Sequence, residues 1–294
     1  MGLGHEVRIV PAALRFGKRS VAELFQNHRI SAPVSDPETS PGELPLVTLD
    51  IDGPSPRRLA VRVREGEGPP VVWLGGFRSD MRATKAAALD AWAAQNARRM
   101  VRFDYSGHGE SEGRFEDGTI SDWLADACAV IDRYANERPI LVGSSMGGWI
   151  ACLVARERAR RGADLGGMVL IAPALDFTEA LMWDAFPPEV RQTLERDGVW
   201  YRETPYAPKP DPIRMALIED GRRHLLLDAS LELGCPVHIL QGMADPDVPY
   251  PHALRILERL PAQGTRLTLV KDGDHRLSRP EDIDLLVRTV AAMA

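Results

Sequence analysis

From residue 44 onward the sequence alternates short β-rich apolar runs with stretches of helical pattern, and this alternation is the tightest constraint on its fold. A strand, a crossover helix and a second strand return to one sheet in parallel, so a chain built this way covers both faces of its sheet. The runs fall at 46–52, 59–63, 71–74, 100–105, 140–142, 168–171, 237–240 and 267–270. The first two surround Gly53-Pro54-Ser55-Pro56 and are expected to open the sheet as an antiparallel pair. Helical patterns occupy 85–99, 120–134, 146–161, 251–260 and 281–293, the last introduced by Pro280 and Asp282. The expected architecture is α/β, with a mostly parallel eight-stranded sheet.

One segment breaks the rhythm. Residues 175–228 are too long for a connection and rich in Pro and aromatics, with helical patches at 190–196 and 213–227. Such an insertion reads as a helical lid placed after the sixth strand. The chain then divides into an N-terminal arm (1–43), a first part of the core (44–174), the lid (175–228) and a second part of the core (229–294). At 294 residues and 44% hydrophobic content it can bury a substantial core.

Gly143-Ser144-Ser145-Met146-Gly147 lies between the apolar run Pro139-Ile140-Leu141-Val142 and a helical pattern, the context a G-x-S-x-G nucleophile elbow requires. The flanking glycines are needed because a side chain there would collide with the neighbouring strand or helix. Ser145 would stand above the sheet at the positive end of the following helix. A serine hydroxyl is a weak nucleophile near neutral pH, so the pattern demands a base and an acid in the order Ser, Asp, His. Asp245 follows one strand and His275 follows the last, and parallel strands carry such loops to one edge of the sheet.

Other candidates have plainer readings. His238 lies in an apolar strand, His224 and His252 fall in helical patterns, and His5 and His28 precede the core. Asp247 is the alternative acid within the same loop, and Asp274 is expected to tie down the turn before His275. His108, in the glycine-rich turn 103–111, is read as shaping that loop. A tetrahedral intermediate needs two backbone donors, expected from Met146 and from Phe77 in Gly75-Gly76-Phe77. The lid carries Leu181, Met182, Trp183, Phe186 and Trp200, and Trp183, Phe186 and Trp200 are candidates for lining an acyl pocket over the nucleophile.

The net charge of -6, spread over mixed acidic and basic residues, disfavours nucleic acid as a partner. Three cysteines, Cys128, Cys152 and Cys235, lie far apart without metal-ligand spacing and read as reduced thiols of a cytoplasm-like compartment. No apolar run approaches the roughly eighteen residues of a membrane span. Residues 1–31 carry Arg8, Arg15, Lys18, Arg19 and Arg29 against Glu6 and Glu23, a basic arm or short helix, or alternatively a mitochondrial targeting peptide. The chemistry implied needs no metal or organic cofactor.

These pieces together resemble the α/β-hydrolase superfamily over roughly residues 44–294. A narrower likeness rests on Gly76-Phe77, Ser79-Asp80-Met81, Thr84-Lys85-Ala86 and Phe103-Asp104-Tyr105-Ser106-Gly107. It continues through Gly147-Gly148-Trp149, Gly198-Val199-Trp200, Gly242-Met243 with Asp245, and Asp274-His275-Arg276. Those stretches are similar to the abhydrolase-domain mitochondrial palmitoyl-protein thioesterases and acyl-glucuronide esterases. The resemblance implies an α/β-hydrolase fold and a Ser145, Asp245, His275 triad. It further implies a small-molecule ester or thioester, or an acylated protein, as substrate. A carbon–carbon bond hydrolase and a non-catalytic binding protein of the same fold are the competing expectations.

Overall fold

The computed structural model of the protein describes residues 6–10, 44–51, 56–203 and 210–294. Its elements in chain order are β1 (Glu6–Val10), β2 (Val47–Ile51), β3 (Arg57–Arg64), β4 (Glu67–Leu74), α1 (Thr84–Gln95), β5 (Arg98–Phe103) and α2 (Ile120–Tyr134). There follow β6 (Ile140–Ser144), α3 (Met146–Arg160), β7 (Gly167–Ile171), α4 (Pro188–Asp197), β8 (Val199–Arg202), β9 (Asp211–Arg214) and α5 (Met215–Arg222). The chain closes with β10 (Val237–Gly242), α6 (Tyr250–Arg259), β11 (Thr265–Val270) and α7 (Pro280–Ala291).

Among the described residues nine strands form the main sheet in the order β1-β11-β10-β7-β6-β4-β5-β3-β2. The antiparallel contacts are β2 with β3 and β3 with β5; the remaining pairings are parallel. All eight strands expected from the sequence are present, and β1 adds a ninth at the edge beside β11. Residues 6–10 were expected as part of an arm or short helix; they pair instead with 266–270. The rest of that basic segment lies outside the described residues.

Every residue of β6 and β7 is buried, which only a central strand covered on both faces requires. On one face α2, α3 and α6 close a core around Leu74, Trp123, Trp149 and Ile239. On the other, α1 and α7 pack Leu89, Leu286 and Val290 against Trp73, Ile140 and Val169. Helix starts follow local chemistry: Thr119 caps α2 by accepting from the Asp122 N–H at 3.2 Å, and Pro280 opens α7.

The insertion between β7 and β10 is less helical than its sequence pattern suggests. A π-helical turn (Thr178–Trp183) and α4 are followed by the antiparallel pair β8–β9, and α5 starts only at Met215. Ile213, expected inside a helix, sits fully buried in β9 opposite Trp200. Tertiary burial here outweighs local helical preference.

Candidate active site

The elbow is built from backbone contacts. β6 runs between β4 and β7, with Gly143 opposite Leu74 on one side and Leu170 on the other. A Cβ at Gly143 would lie 2.3 Å from the Gly147 carbonyl oxygen, and one at Gly147 would lie 2.1 Å from that of Leu74. Only glycine lets strand and helix approach this closely. Ser145 takes φ 55° and ψ -118°. Its N–H donates to Ile171 O at 2.9 Å, while its own carbonyl accepts from Gly148 at 2.9 Å and Ala174 at 3.1 Å. This strained conformation is over-determined by its surroundings, as nucleophile positions require.

The loops after β10 and β11 are joined at the same edge. Met243 N–H donates to Val270 O at 2.8 Å and Ala244 N–H to Gly273 O at 2.9 Å. This brings Asp245 to His275, whose Nδ1 lies 2.8 Å from Asp245 Oδ2. Gln241 Nε2 donates to the same oxygen at 3.2 Å, and Oδ1 accepts the N–H groups of Asp247 and Val248, each at 2.9 Å. A carboxylate so bonded is fixed in orientation and presents one oxygen to the imidazole. Asp247 contributes its backbone to this arrangement while its side chain is exposed. Asp274 accepts from Arg276 at 3.1 Å and Leu277 at 2.9 Å, bracing the turn that carries His275.

Ser145 and His275 line one cavity of about 990 Å³, at the upper end of the ordinary small-molecule range. No hydrogen bond joins them among the described residues, an arrangement common before substrate binds. The N–H groups of Phe77 and Met146, also in the cavity wall, have no backbone acceptor among the described residues. A Cβ on Gly76 would stand 3.4 Å from that of Ser145, so the glycine allows the Phe77 loop to approach Ser145.

The remaining wall includes the apolar Phe115, Phe177, Leu181, Met182 and Val248. It also includes the charged Arg78, Lys85, Arg202, Asp211 and Arg276. Burial, reinforced by Arg276, lowers Lys85 to about 8; its ammonium donates to the Arg276 carbonyl and so ties α1 to the His275 turn. Sequence reasoning singled out Leu181 and Met182 as apolar lid residues but missed Phe115, Phe177, Arg78, Arg202 and Asp211, and gave Lys85 and Arg276 no role beyond the stretches that carry the resemblance. It also placed Trp183, Phe186 and Trp200 at the pocket, and the structure does not. The Trp183 ring is held by Arg222 at 4.7 Å and Arg191 at 5.6 Å, and Phe186 packs edge-on against Trp200 at 5.3 Å. These rings are partly buried and pack on residues of the insertion itself.

His5 and His28 lie outside the described residues, and the other described histidines are occupied. His108 is 4% exposed, lies between Ser106 O and the Arg78 N–H, and is lowered by burial to about 4. His238 bonds Thr268, His252 bonds Leu175 O and His224 bonds Ser121. Asp245, Asp247 and His275 hold potential metal-ligand atoms within 4.8 Å of one another. Asp245 already accepts four hydrogen bonds there, a donor set suited to orienting an imidazole more than to coordinating an ion.

A strained serine between a parallel strand and a helix, facing an Asp-bonded histidine across a cavity, is the site geometry of hydrolases of this architecture. The chain belongs to the alpha/beta hydrolase family, whose model matches residues 36–284. Human mitochondrial palmitoyl-protein thioesterase ABHD10 is 31% identical over 241 residues, covering 82% of this chain and 78% of the relative. Among solved structures, a protein from Agrobacterium vitis S4 described as a hydrolase is 49% identical with TM-score 0.81, over 85% of this chain and 99% of that one. Mouse alpha/beta hydrolase domain-containing protein 10 is 29% identical with TM-score 0.75, over 84% and 98%. No helix among the described residues is long and apolar enough to cross a membrane.

Proposed function

We propose that the protein is a serine hydrolase that cleaves carboxylic esters or acyl thioesters through an acyl-enzyme on Ser145. The observation that carries this reading is the strained Ser145 sharing a cavity with a histidine whose Nδ1 is 2.8 Å from a buried carboxylate. Asp245 holds the proton on Nδ1, which leaves Nε2 free to take the serine proton. The alkoxide adds to the substrate carbonyl, and the Phe77 and Met146 N–H groups receive the negative charge on its oxygen. His275 then passes its proton to the leaving alcohol, thiol or sugar hydroxyl as the acyl bond breaks. Water, deprotonated by the same nitrogen, releases the acid in a second addition and collapse. No metal or organic cofactor enters these steps.

The apolar wall of Phe77, Phe177, Leu181 and Met182 suits an acyl chain, and the naming of the human relative as a palmitoyl-protein thioesterase agrees with that placement. Acyl thioesters, acyl glucuronides and acylated proteins are the substrate classes this reading favours. A cytoplasmic location, or the mitochondrial one given in the human relative's name, suits such substrates equally. Hydrolysis of p-nitrophenyl esters and matched acyl thioesters by the wild type, and its loss in Ser145→Ala, tests the reading. A non-catalytic binding protein would leave both substrate sets uncleaved.

A further inference from the structure

Arg78 follows the oxyanion donor Phe77 and makes contacts that the reaction by itself does not call for. Its backbone lies in the left-handed region at φ 60°, which a non-glycine residue keeps only when something holds it. Its N–H donates to His108 Nε2 at 3.3 Å, and the neutral, buried ring is oriented by its Nδ1 facing Ser106 O at 3.2 Å. The guanidinium lies 4.6 Å above the Phe115 ring, and Phe115 packs edge-on against Phe77 at 4.7 Å. The same guanidinium pairs with Asp211 at the start of β9. Asp211 is 4% exposed and also pairs with Arg202 of β8 at 3.3 Å, so the β8–β9 pair is bound to the oxyanion loop through one buried carboxylate.

We propose that Arg78 is a positioning residue: its ion pair with Asp211 fastens the β8–β9 pair of the insertion to the oxyanion loop and thereby holds the Phe77 N–H on the developing oxyanion. The proposal rests on the hydrolase reading above. Without the Asp211 charge, the Arg78 side chain loses its ion pair, and the left-handed backbone keeps only the Phe115 stacking, the His108 bond and the Ser79 N–H to Gly76 O turn bond. Phe77 then samples angles at which its N–H misses the oxygen. The ground-state carbonyl needs that donor less than the tetrahedral intermediate does, so the loss falls on turnover rather than on binding.

Asp211→Asn, Arg78→Gln, their double variant and Arg78→Lys test this with p-nitrophenyl acetate, each rate divided by the number of sites labelled to completion by a fluorophosphonate. Asp211→Asn and Arg78→Gln should each lower kcat per site about tenfold, part of the roughly 10²–10³ that deleting a whole oxyanion donor costs. KM should stay within about twofold, the pattern of an interaction made only in the transition state. The double variant should be no worse than either single one, and Arg78→Lys, which keeps the ion pair, should recover most of the rate. A purely structural role lowers the melting temperature and the count of labelled sites but leaves kcat per site unchanged, and that result overturns the proposal. Losses that multiply in the double variant overturn it as well. A wild type that neither labels nor turns over marks failure of the hydrolase reading itself, and the positioning role falls with it.

Discussion

Replacing Asp245 by asparagine changes one atom and should disable the base without removing it. The carboxylate accepts two backbone N–H groups on Oδ1, and on Oδ2 it accepts His275 Nδ1 and Gln241 Nε2. An amide satisfies only one of these sides. With its oxygen toward His275, its NH₂ faces two rigid backbone donors; with its oxygen toward the backbone, it faces one fixed donor, the Gln241 amide bonded to Gly242 O and Val248 O, and an imidazole that can change tautomer. The second orientation has fewer donor–donor conflicts and is therefore preferred. It forces His275 to accept on Nδ1 and carry its proton on Nε2, the wrong tautomer for taking a proton from Ser145. A loss of about 10³–10⁴ in kcat follows by analogy with triads whose acid is made an amide, equivalent to about 4–5.5 kcal/mol of transition-state stabilisation. The remaining donor conflict should cost about 1–3 kcal/mol of stability. Asp247→Asn keeps its backbone donor and alters only an exposed side chain, so its kcat should stay within about threefold of wild type. The assay is p-nitrophenyl ester hydrolysis, with thermal melts to confirm folding at the assay temperature. If Asp247→Asn proved the more damaging variant, or Asp245→Asn stayed within tenfold of wild type, the assignment of the acid would be wrong.

Other consequences follow from packing and charge. Gly147→Ala drives a methyl to 2.1 Å from Leu74 O and 2.6 Å from Gly75 O, so urea melts should show a loss of at least about 1–3 kcal/mol. Gly162→Ala, whose Cβ meets nothing within 4 Å at φ 67°, should cost only the left-handed penalty of about 1–2 kcal/mol. Burial lowers His108 to about 4 from an ordinary 6.5, so between those values the unfolded chain binds the proton that the folded one refuses, and stability falls as pH drops. Asp104, raised by burial to about 6, acts in the opposite sense over part of that range, so the comparison must be with His108→Gln. The stability advantage of wild type over that variant should shrink by up to about 3 kcal/mol between pH 7 and pH 4; a constant difference in urea melts would contradict a neutral buried ring. Lengthening a p-nitrophenyl ester from two to eight carbons should raise kcat/KM, with each buried methylene contributing about 0.8 kcal/mol. Leu181→Ala and Met182→Ala should flatten that series and Trp183→Ala should not; a flat wild-type series rejects an apolar acyl pocket.

The parts of this molecule that were legible in its sequence are those where backbone sterics leave no alternative. Gly143 and Gly147 had to be glycine for β6 and α3 to meet, and the strand–turn–helix frame therefore marked Ser145. Asp245 and His275 could be paired from afar because parallel strands deliver their following loops to one edge. The pocket wall was not legible in the same way. Leu181 and Trp183 are both apolar and two residues apart, and only the packing of Arg191 and Arg222 on the tryptophan decides which reaches the cavity. Likewise Arg78, in the loop after β4, and Asp211, at the start of β9, lie 133 positions apart, and their pairing exists only once the insertion has folded over the sheet. β1 escaped notice because its five residues include Glu6 and Arg8 and so read as part of the charged segment 1–31, and its pairing depends on the open edge of β11.

The central claim is that Ser145 is the nucleophile, and covalent trapping tests it most directly. Wild type incubated with a fluorophosphonate should gain the mass of one adduct, and peptide mapping should place it on Ser145. Ser145→Ala, with an unchanged melting curve because alanine is nearly isosteric with serine, should gain none. An adduct on any other residue, or no adduct on a folded wild-type protein, would contradict the account.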